Sequence, residues 1–582
     1  MSVSYAKPAR RPLQIFGLDP MIARTERRQI TLDVVNEELE CGPQGSRIQV
    51  IDYDASTRTL YEPVDLDDRN VVMNDGLTPS EADPRFHQQM VYAVAMKTLE
   101  NFEMALGRKL RFKGGRRLRI FPHAFEGANA FYDPQKVALL FGYFRADPDD
   151  PGPNLPGQTV FTCLSHDIIA HETTHALVDR LREYFVDATN HDVAAFHEGF
   201  SDIVAIFQHF SFREVLADSI QQTHTNLRNP TSLVELAKQF GYATGSGRAL
   251  RGAVDSETGG KPDPALMKTL FEPHDRGSIL VAAVFDAFFR VYQHRIGDLV
   301  RIATGGTGVL PAGNLHPDLV NRIAKEASKT AQNILTMCIR AFEYLPPVDV
   351  TFGDFLRALV TADYEMVPED DVGLRTSMIE AFRIRGIHPR GVRSLAEDSL
   401  LWTRPERTIT LPIKPFEQRL AENARAFDRW GKTVPDDTSG PALKRWAAEL
   451  VQWARSNGPA LQLSPDYTTS LQGFHTVFRV APSGELIVEL VAQFAQIDKT
   501  PASDPAYGGI PFRGGTTVIG GSDGTVRYSI AKPMDAERRA CQKSYVEQLD
   551  RGDAALAWCD DHYEARRMRA RTSFAALHRG LR

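Results

Sequence analysis

Two histidines and a glutamate fall at helical spacing in His171-Glu172-Thr173-Thr174-His175, inside the stretch SHDIIAHETTHALVDRLREY. Residues four apart on a helix lie one above the other on the same face, so His171 and His175 can turn two imidazole nitrogens toward one metal ion. Glu172 lies beside them, where its carboxylate can take a proton from a water held at that ion, as metal-assisted hydrolysis requires. A hydrolytic zinc site uses three protein ligands and keeps one position open, so a third ligand must arrive from elsewhere in the chain. Glu198, in HDVAAFHEGFSDIVAIFQHF, can supply it, and Asp202 follows four residues later on the same face. Two carboxylates facing an apolar neighbour are costly to bury unless something cationic receives them. A metal accounts for both, with Glu198 as a ligand and Asp202 accepting the other ring N–H of a ligating histidine and so fixing its tautomer.

The elements that must hold these side chains are also legible. Ser165 suits the N-cap of the first helix, no Gly or Pro interrupts it, and Ile168, Ile169, Leu177, Val178 and Leu181 supply apolar positions. After the polar break DATNHD, Val193, Phe196, Phe200, Ile203, Val204 and Phe207 give the second helix its apolar faces. Upstream, PRFHQQMVYAVAMKTLENFEMAL predicts a helix starting at Pro84, with Met90, Val91, Val94, Met96 and Leu99 in the core. RRLRIFPHAF, GANAFYD and KVALLFGYF predict short strands. The last two form a hairpin at Asp133-Pro134 whose edge can take up an extended peptide by strand addition. RADPDDPGPNLPGQ, with Asp147, Asp149 and Asp150 amid four prolines, can be neither helix nor central strand. It lacks the spacing of a calcium loop, so Ca2+ finds no support there. From His274 to about residue 390 the pattern is helical, with the Gly277-Ser278 pair expected as a break after His274.

Taken together, these stretches resemble the thermolysin-like gluzincin metallopeptidases. HETTHALVD is similar to that family's active-site helix and HEGFSDIVA to its glutamate-ligand helix. EPHDRGSILVAAVFDAF is similar to the segment that carries an oxyanion-steadying histidine, and GANAFYDPQKVALLFGYF to the edge strand that holds the substrate. The resemblance spans about residues 85 to 390. It implies an α+β, two-lobed metallopeptidase, β-rich in its N-terminal lobe and helical in its C-terminal lobe, acting as an endopeptidase on a peptide or protein substrate. It further implies Zn2+ on His171, His175 and Glu198, Glu172 as general base, and His274 with Tyr184 as oxyanion donors. Asn129 and Ala130 would hold the substrate backbone; Arg248 and Arg251 are candidates to meet its carbonyl, with solvated arginines the preferred reading. Where the family has an aspartate to orient the histidine, this chain has Thr269, which leaves Glu272 or Asp275 to substitute. The alternative is a catalytically silent peptidase fold that keeps zinc for stability and serves as an interaction module.

A chain of 582 residues that is 42% hydrophobic can bury several cores. The expected organisation is an N-terminal extension (1–84), a β-rich lobe (85–165), a helical lobe carrying the metal (166–392) and an appended α+β unit (400–582). In that last unit, FHTVFRVAPSGELIVELVAQF and TTVIGGSDGTVRYSI predict hairpins. Gly514, Gly515, Gly520, Gly521 and Gly524 are expected in turns, because no Gly-Lys-Ser/Thr phosphate loop follows them. The arginine-rich stretch RRMRARTSFAALHRGLR is expected as a solvated helix face or tail. A net charge of -6 offers no electrostatic case for nucleic acid as a partner. The longest apolar runs, such as Ile279 to Phe285, stop far short of a bilayer span, so no membrane is expected. With no Sec-type leader and five scattered cysteines that make no disulfide framework, the expected location is cytoplasmic. Cys163, just ahead of the histidine helix, is expected as a small buried hydrophobe.

Overall fold

The computed structural model describes residues 8–17, 20, 29–149, 151, 154–222, 262–307, 315–428, 441–507, 509–550 and 574. Arg248, Arg251, Asp150 and, apart from Phe574, the arginine-rich C-terminal stretch lie outside them.

The strands anticipated upstream of the histidine helix form one mixed sheet. Its order is Ile48–Val50, Leu118–Glu126, Ala138–Arg145, Ala130–Asp133, with Thr159–Phe161 also paired to Ala138–Arg145. The first three strands run parallel, and the hairpin closes antiparallel from Ala130↔Phe141 to Asp133↔Ala138. Asp133 secures its turn by accepting from the backbone N–H groups of Gln135 (2.9 Å) and Lys136 (3.0 Å). Ala130–Asp133 is therefore the outermost strand. Ile48–Val50 comes from the stretch expected as an extension, which thus completes the sheet.

The helix Pro84–Leu106 packs on this sheet, on the hairpin Arg10–Phe16/Gln29–Val35 and on the histidine helix. Asp83 caps it, Pro84 opens it, and Gly107 ends it in the left-handed conformation (φ 63°) that an L side chain avoids. Its five expected core residues are all buried.

The helical layer comprises His166–Leu181, His191–Phe210, Pro273–Ala303, Pro317–Arg340, Phe352–Tyr364 and Leu374–Arg383. Ser165 caps the first through the Ile168 N–H, and Asn190 caps the second through the Asp192 N–H. The third begins earlier than the sequence suggests. Glu272 is its N-cap, His274 sits in its first turn, and Gly277-Ser278 lie inside the helix instead of breaking it. The reason is a close crossing. A Cβ on Gly277 would lie 2.8 Å from the Ala195 carbonyl oxygen, and one on Gly199 would lie 2.6 Å from that of Gly277. The glycines thus let the backbones of His191–Phe210 and Pro273–Ala303 touch, and Phe207, Phe210, Phe285 and Phe288 interlock beyond the crossing.

The C-terminal unit is an antiparallel sheet of Thr469–Val480, Leu486–Asp498, Phe512–Gly521 and Val526–Lys532, containing both anticipated hairpins. Lys414–Asp428 and Pro441–Ser456 cover one face, where Phe416, Trp446, Leu450, Phe474 and Phe494 form a separate core. The other face, through Val477, Val491, Ile519 and Ile530, joins the main core. Polar contacts cross the seam: His475 Nε2 meets Glu343 (2.9 Å), and ion pairs join Lys532 to Asp354 (2.6 Å) and Arg538 to Asp349 (2.8 Å). Four of the glycines expected in turns lie in the strand Phe512–Gly521, and only Gly524 (φ 80°) makes a turn. At the seam a Cβ on Gly515 would meet the Phe494 carbonyl oxygen at 2.3 Å and Pro347 at 2.8 Å, so no side chain fits. Among the described residues no helix is long and apolar enough to cross a membrane.

Candidate metal centre

Three groups among the described residues could hold a metal ion: His171, His175 and Glu198; His87, His123 and Cys163; and His166, Asp167 and His209. The first is the anticipated one. His171 and His175, a turn apart on His166–Leu181, bring their Nε2 atoms to 3.0 Å. Glu198, from the adjoining His191–Phe210, places Oε2 3.3 Å from His171 Nε2 and 3.6 Å from His175 Nε2. All three side chains are buried.

The far sides of the rings are held by the same second helix. Asp202 Oδ1 lies 2.9 Å from His171 Nδ1, the contact expected to fix the tautomer and leave Nε2 as a lone pair. Around His175 Nδ1 stand Ser201 Oγ and His197 Nδ1, each at 3.2 Å. Sequence reasoning missed both. The signal was present, because positions 197 and 201 are also four apart and each precedes one of the carboxylates by one residue.

The cluster favours a positive charge. Burial alone would lower His171, but hydrogen bonds to Asp202 and Glu198, with the charges of Asp202 and Glu172, outweigh it and push the ring up to about 10. A proton there answers the same carboxylates that an ion would. Burial, reinforced by His175, holds His197 well below the usual histidine range, so that ring is neutral. Glu172 is itself buried, next to His171 on the helix.

His274 reaches the cluster from the third helix, with Nε2 3.4 Å from Glu198 Oε2. Its Nδ1 lies 2.9 Å from Glu272 Oε1, so Glu272 can orient the ring. The same carboxylate caps the helix by accepting from the Asp275 N–H at 2.8 Å. At 17% exposure the His274 side chain is less covered than those of His171, His175 and Glu198.

Asn129 and Ala130 stand at the head of the outermost strand, where the Asn129 carbonyl accepts from the Gly142 N–H at 2.8 Å. Two residues on, Tyr132 donates to Asp179 at 2.9 Å, and Lys113 meets the other Asp179 oxygen at 2.7 Å. Asp179 is one turn past His175, so this strand is fastened to the histidine helix beside the candidate ligands.

Tyr184 is not brought to the cluster. It lies past the helix end in the turn Glu183–Val186, its ring 4.6 Å from the Arg513 guanidinium and hydrogen-bonded to Gln472, both on the C-terminal sheet. Phe574 is. It was expected in a solvated stretch, yet it is 1% exposed, with its ring centroid 4.3 Å from that of His175, 5.2 Å from His197 and 6.0 Å from Tyr132. An apolar ring in a basic segment gains most by leaving water, and the imidazole pair offers it a dry surface.

The chain matches no protein-family model and no curated protein.

Proposed function

We propose that this chain is a zinc-dependent endopeptidase of the thermolysin-like kind. The observation that carries the reading is the buried convergence of His171 Nε2, His175 Nε2 and Glu198 Oε2, with Asp202 behind the first ring. Two imidazoles and a carboxylate are the donor set Zn2+ takes in hydrolytic sites. The mixed sheet and the helical layer that meet at this point correspond, in this reading, to the family's two lobes. When bound, the ion supplies Lewis acidity, polarising a carbonyl and lowering the pKa of water toward neutrality.

The remaining chemistry belongs to the chain. Glu172, held next to His171, takes a proton from the attacking water and delivers it to the leaving amine nitrogen. His274, oriented through Nδ1 by Glu272, offers an N–H at Nε2 to the oxygen on which charge develops. Asn129 and Ala130 head the outermost strand, where an extended peptide can add its backbone. Tyr184, turned toward Arg513, takes no part.

The test is hydrolysis of casein or a quenched peptide library with and without a zinc chelator. Glu172→Gln should retain zinc, because Glu172 is not among the ligating atoms, and should lose about 10²- to 10⁴-fold in rate. Undiminished hydrolysis by that variant removes Glu172 as the base.

A further inference from the structure

A second cluster has the logic of the first. His87, near the start of Pro84–Leu106, and His123, on Leu118–Glu126, face each other with His87 Nδ1 2.8 Å from His123 Nε2. Their far nitrogens meet acceptors: Asp52 Oδ1 lies 2.7 Å from His123 Nδ1, and the Glu81 carbonyl oxygen lies 3.1 Å from His87 Nε2. A carboxylate and a carbonyl can only accept, so each far nitrogen carries the hydrogen. In two neutral rings the facing nitrogens are then lone pairs aimed at one another, and something positive must lie between them. Cys163 Sγ completes the group, all three donor atoms lying within 4.8 Å of one another. Both rings and the thiol are buried, among Tyr61, Tyr143 and Phe161.

Either a proton or a metal ion can bridge the nitrogens. A proton serves two atoms and leaves the sulfur without a role, whereas an ion is served by all three. The third group needs no ion. There Asp167 Oδ1 itself lies between the rings, 3.1 Å from His166 Nδ1 and 3.0 Å from His209 Nδ1. His209 Nε2 is satisfied by the Gly17 carbonyl oxygen at 2.7 Å.

We infer that His87 Nδ1, His123 Nε2 and Cys163 Sγ form a second, structural site for a transition-metal ion of borderline softness, Zn2+ foremost, with Asp52 and the Glu81 carbonyl fixing the two tautomers. Imidazole and thiolate suit such ions, and outer acceptors of this kind are what orient ligating histidines. On binding, the Cys163 proton leaves to solvent and a metal–sulfur bond forms, with no change of oxidation state. The ion joins the helix Pro84–Leu106, the sheet strand Leu118–Glu126 and the turn Thr162–Leu164, which leads directly into the histidine helix. It therefore anchors the entry to the first centre without belonging to it.

Elemental analysis of the full chain should find two equivalents of metal, one in Cys163→Ser and one in His171→Ala. Loading the wild type with Co2+ should give a sulfur-to-cobalt charge-transfer band in the near ultraviolet. The His171–His175–Glu198 centre contains no sulfur and cannot produce that band. Cys163→Ser should lose it, and His171→Ala should keep it. A wild type saturated with Co2+ that shows no such band overturns the inference, whatever the activity of the first centre and whether or not Cys163→Ser folds.

Discussion

Replacing Gly277 with alanine puts a methyl group where two helices already touch. The new Cβ would stand 2.8 Å from the Ala195 carbonyl oxygen, 2.9 Å from Gly199 N and 3.3 Å from Gly199 Cα. The first gap falls short of a ~3.5 Å contact by about 0.7 Å, and all three obstacles are backbone of a buried helix, so Pro273–Ala303 itself must move. Overpacking of this kind costs about 1–3 kcal/mol, offset in part by the roughly 1 kcal/mol that alanine gains over glycine inside a helix. The larger consequence is positional. His274 lies three residues away on the helix that moves, whereas His171, His175 and Glu198 sit on the two that stay. Metal content should therefore hold while the His274 Nε2 atom leaves its place 3.4 Å from Glu198 Oε2. A misplacement on the order of 1 Å at such a group costs roughly 10²-fold, so a fall of about 10- to 100-fold in kcat is expected. Quenched-peptide kinetics, elemental analysis and a melting curve on one preparation decide the matter. Wild-type kcat in a folded Gly277→Ala protein would refute the claim that this crossing places His274, and lost metal would show that it places the ligands instead.

Other consequences are equally direct. Asp202→Ala removes the acceptor behind His171 and should weaken zinc binding about 10- to 100-fold in a competition titration, and unchanged affinity would deny Asp202 its orienting role. With His171 raised to about 10, its proton must leave before an ion enters, so zinc affinity should climb by about tenfold per pH unit until that value and then level off. The stability of the metal-free chain runs the other way. The His171 contribution is fully present below the ordinary histidine value of about 6.5 and is lost as pH rises toward 10. A zinc affinity that stays flat between about pH 7 and 9 contradicts this. Phe574→Ala exposes the His175 and His197 rings to water and should speed metal loss to a chelator in stopped-flow measurements; an unchanged rate means that the ring does not cover the centre.

The helices Pro84–Leu106, His166–Leu181 and His191–Phe210 were legible because helical periodicity is local, and a four-residue spacing puts side chains on one face whatever surrounds the helix. The same locality misled at Gly277-Ser278 and at Gly514, Gly515, Gly520 and Gly521. A glycine in a short window reads as a break or a turn, and only the backbone pressed against it shows that it is there to admit close contact. Tyr184 is a similar case: its position past a helix end could be read, but its direction is set by Arg513, far along the chain.

By itself, then, the sequence determined which side chains could ligate an ion and which helices carry them, since both follow from neighbours a few residues apart. Tertiary structure alone decided that Phe574 lies on His175 and that Cys163 joins His87 and His123. Such pairings are chosen by packing between distant segments, where burial and excluded volume act on the whole fold and leave no periodic trace in either segment.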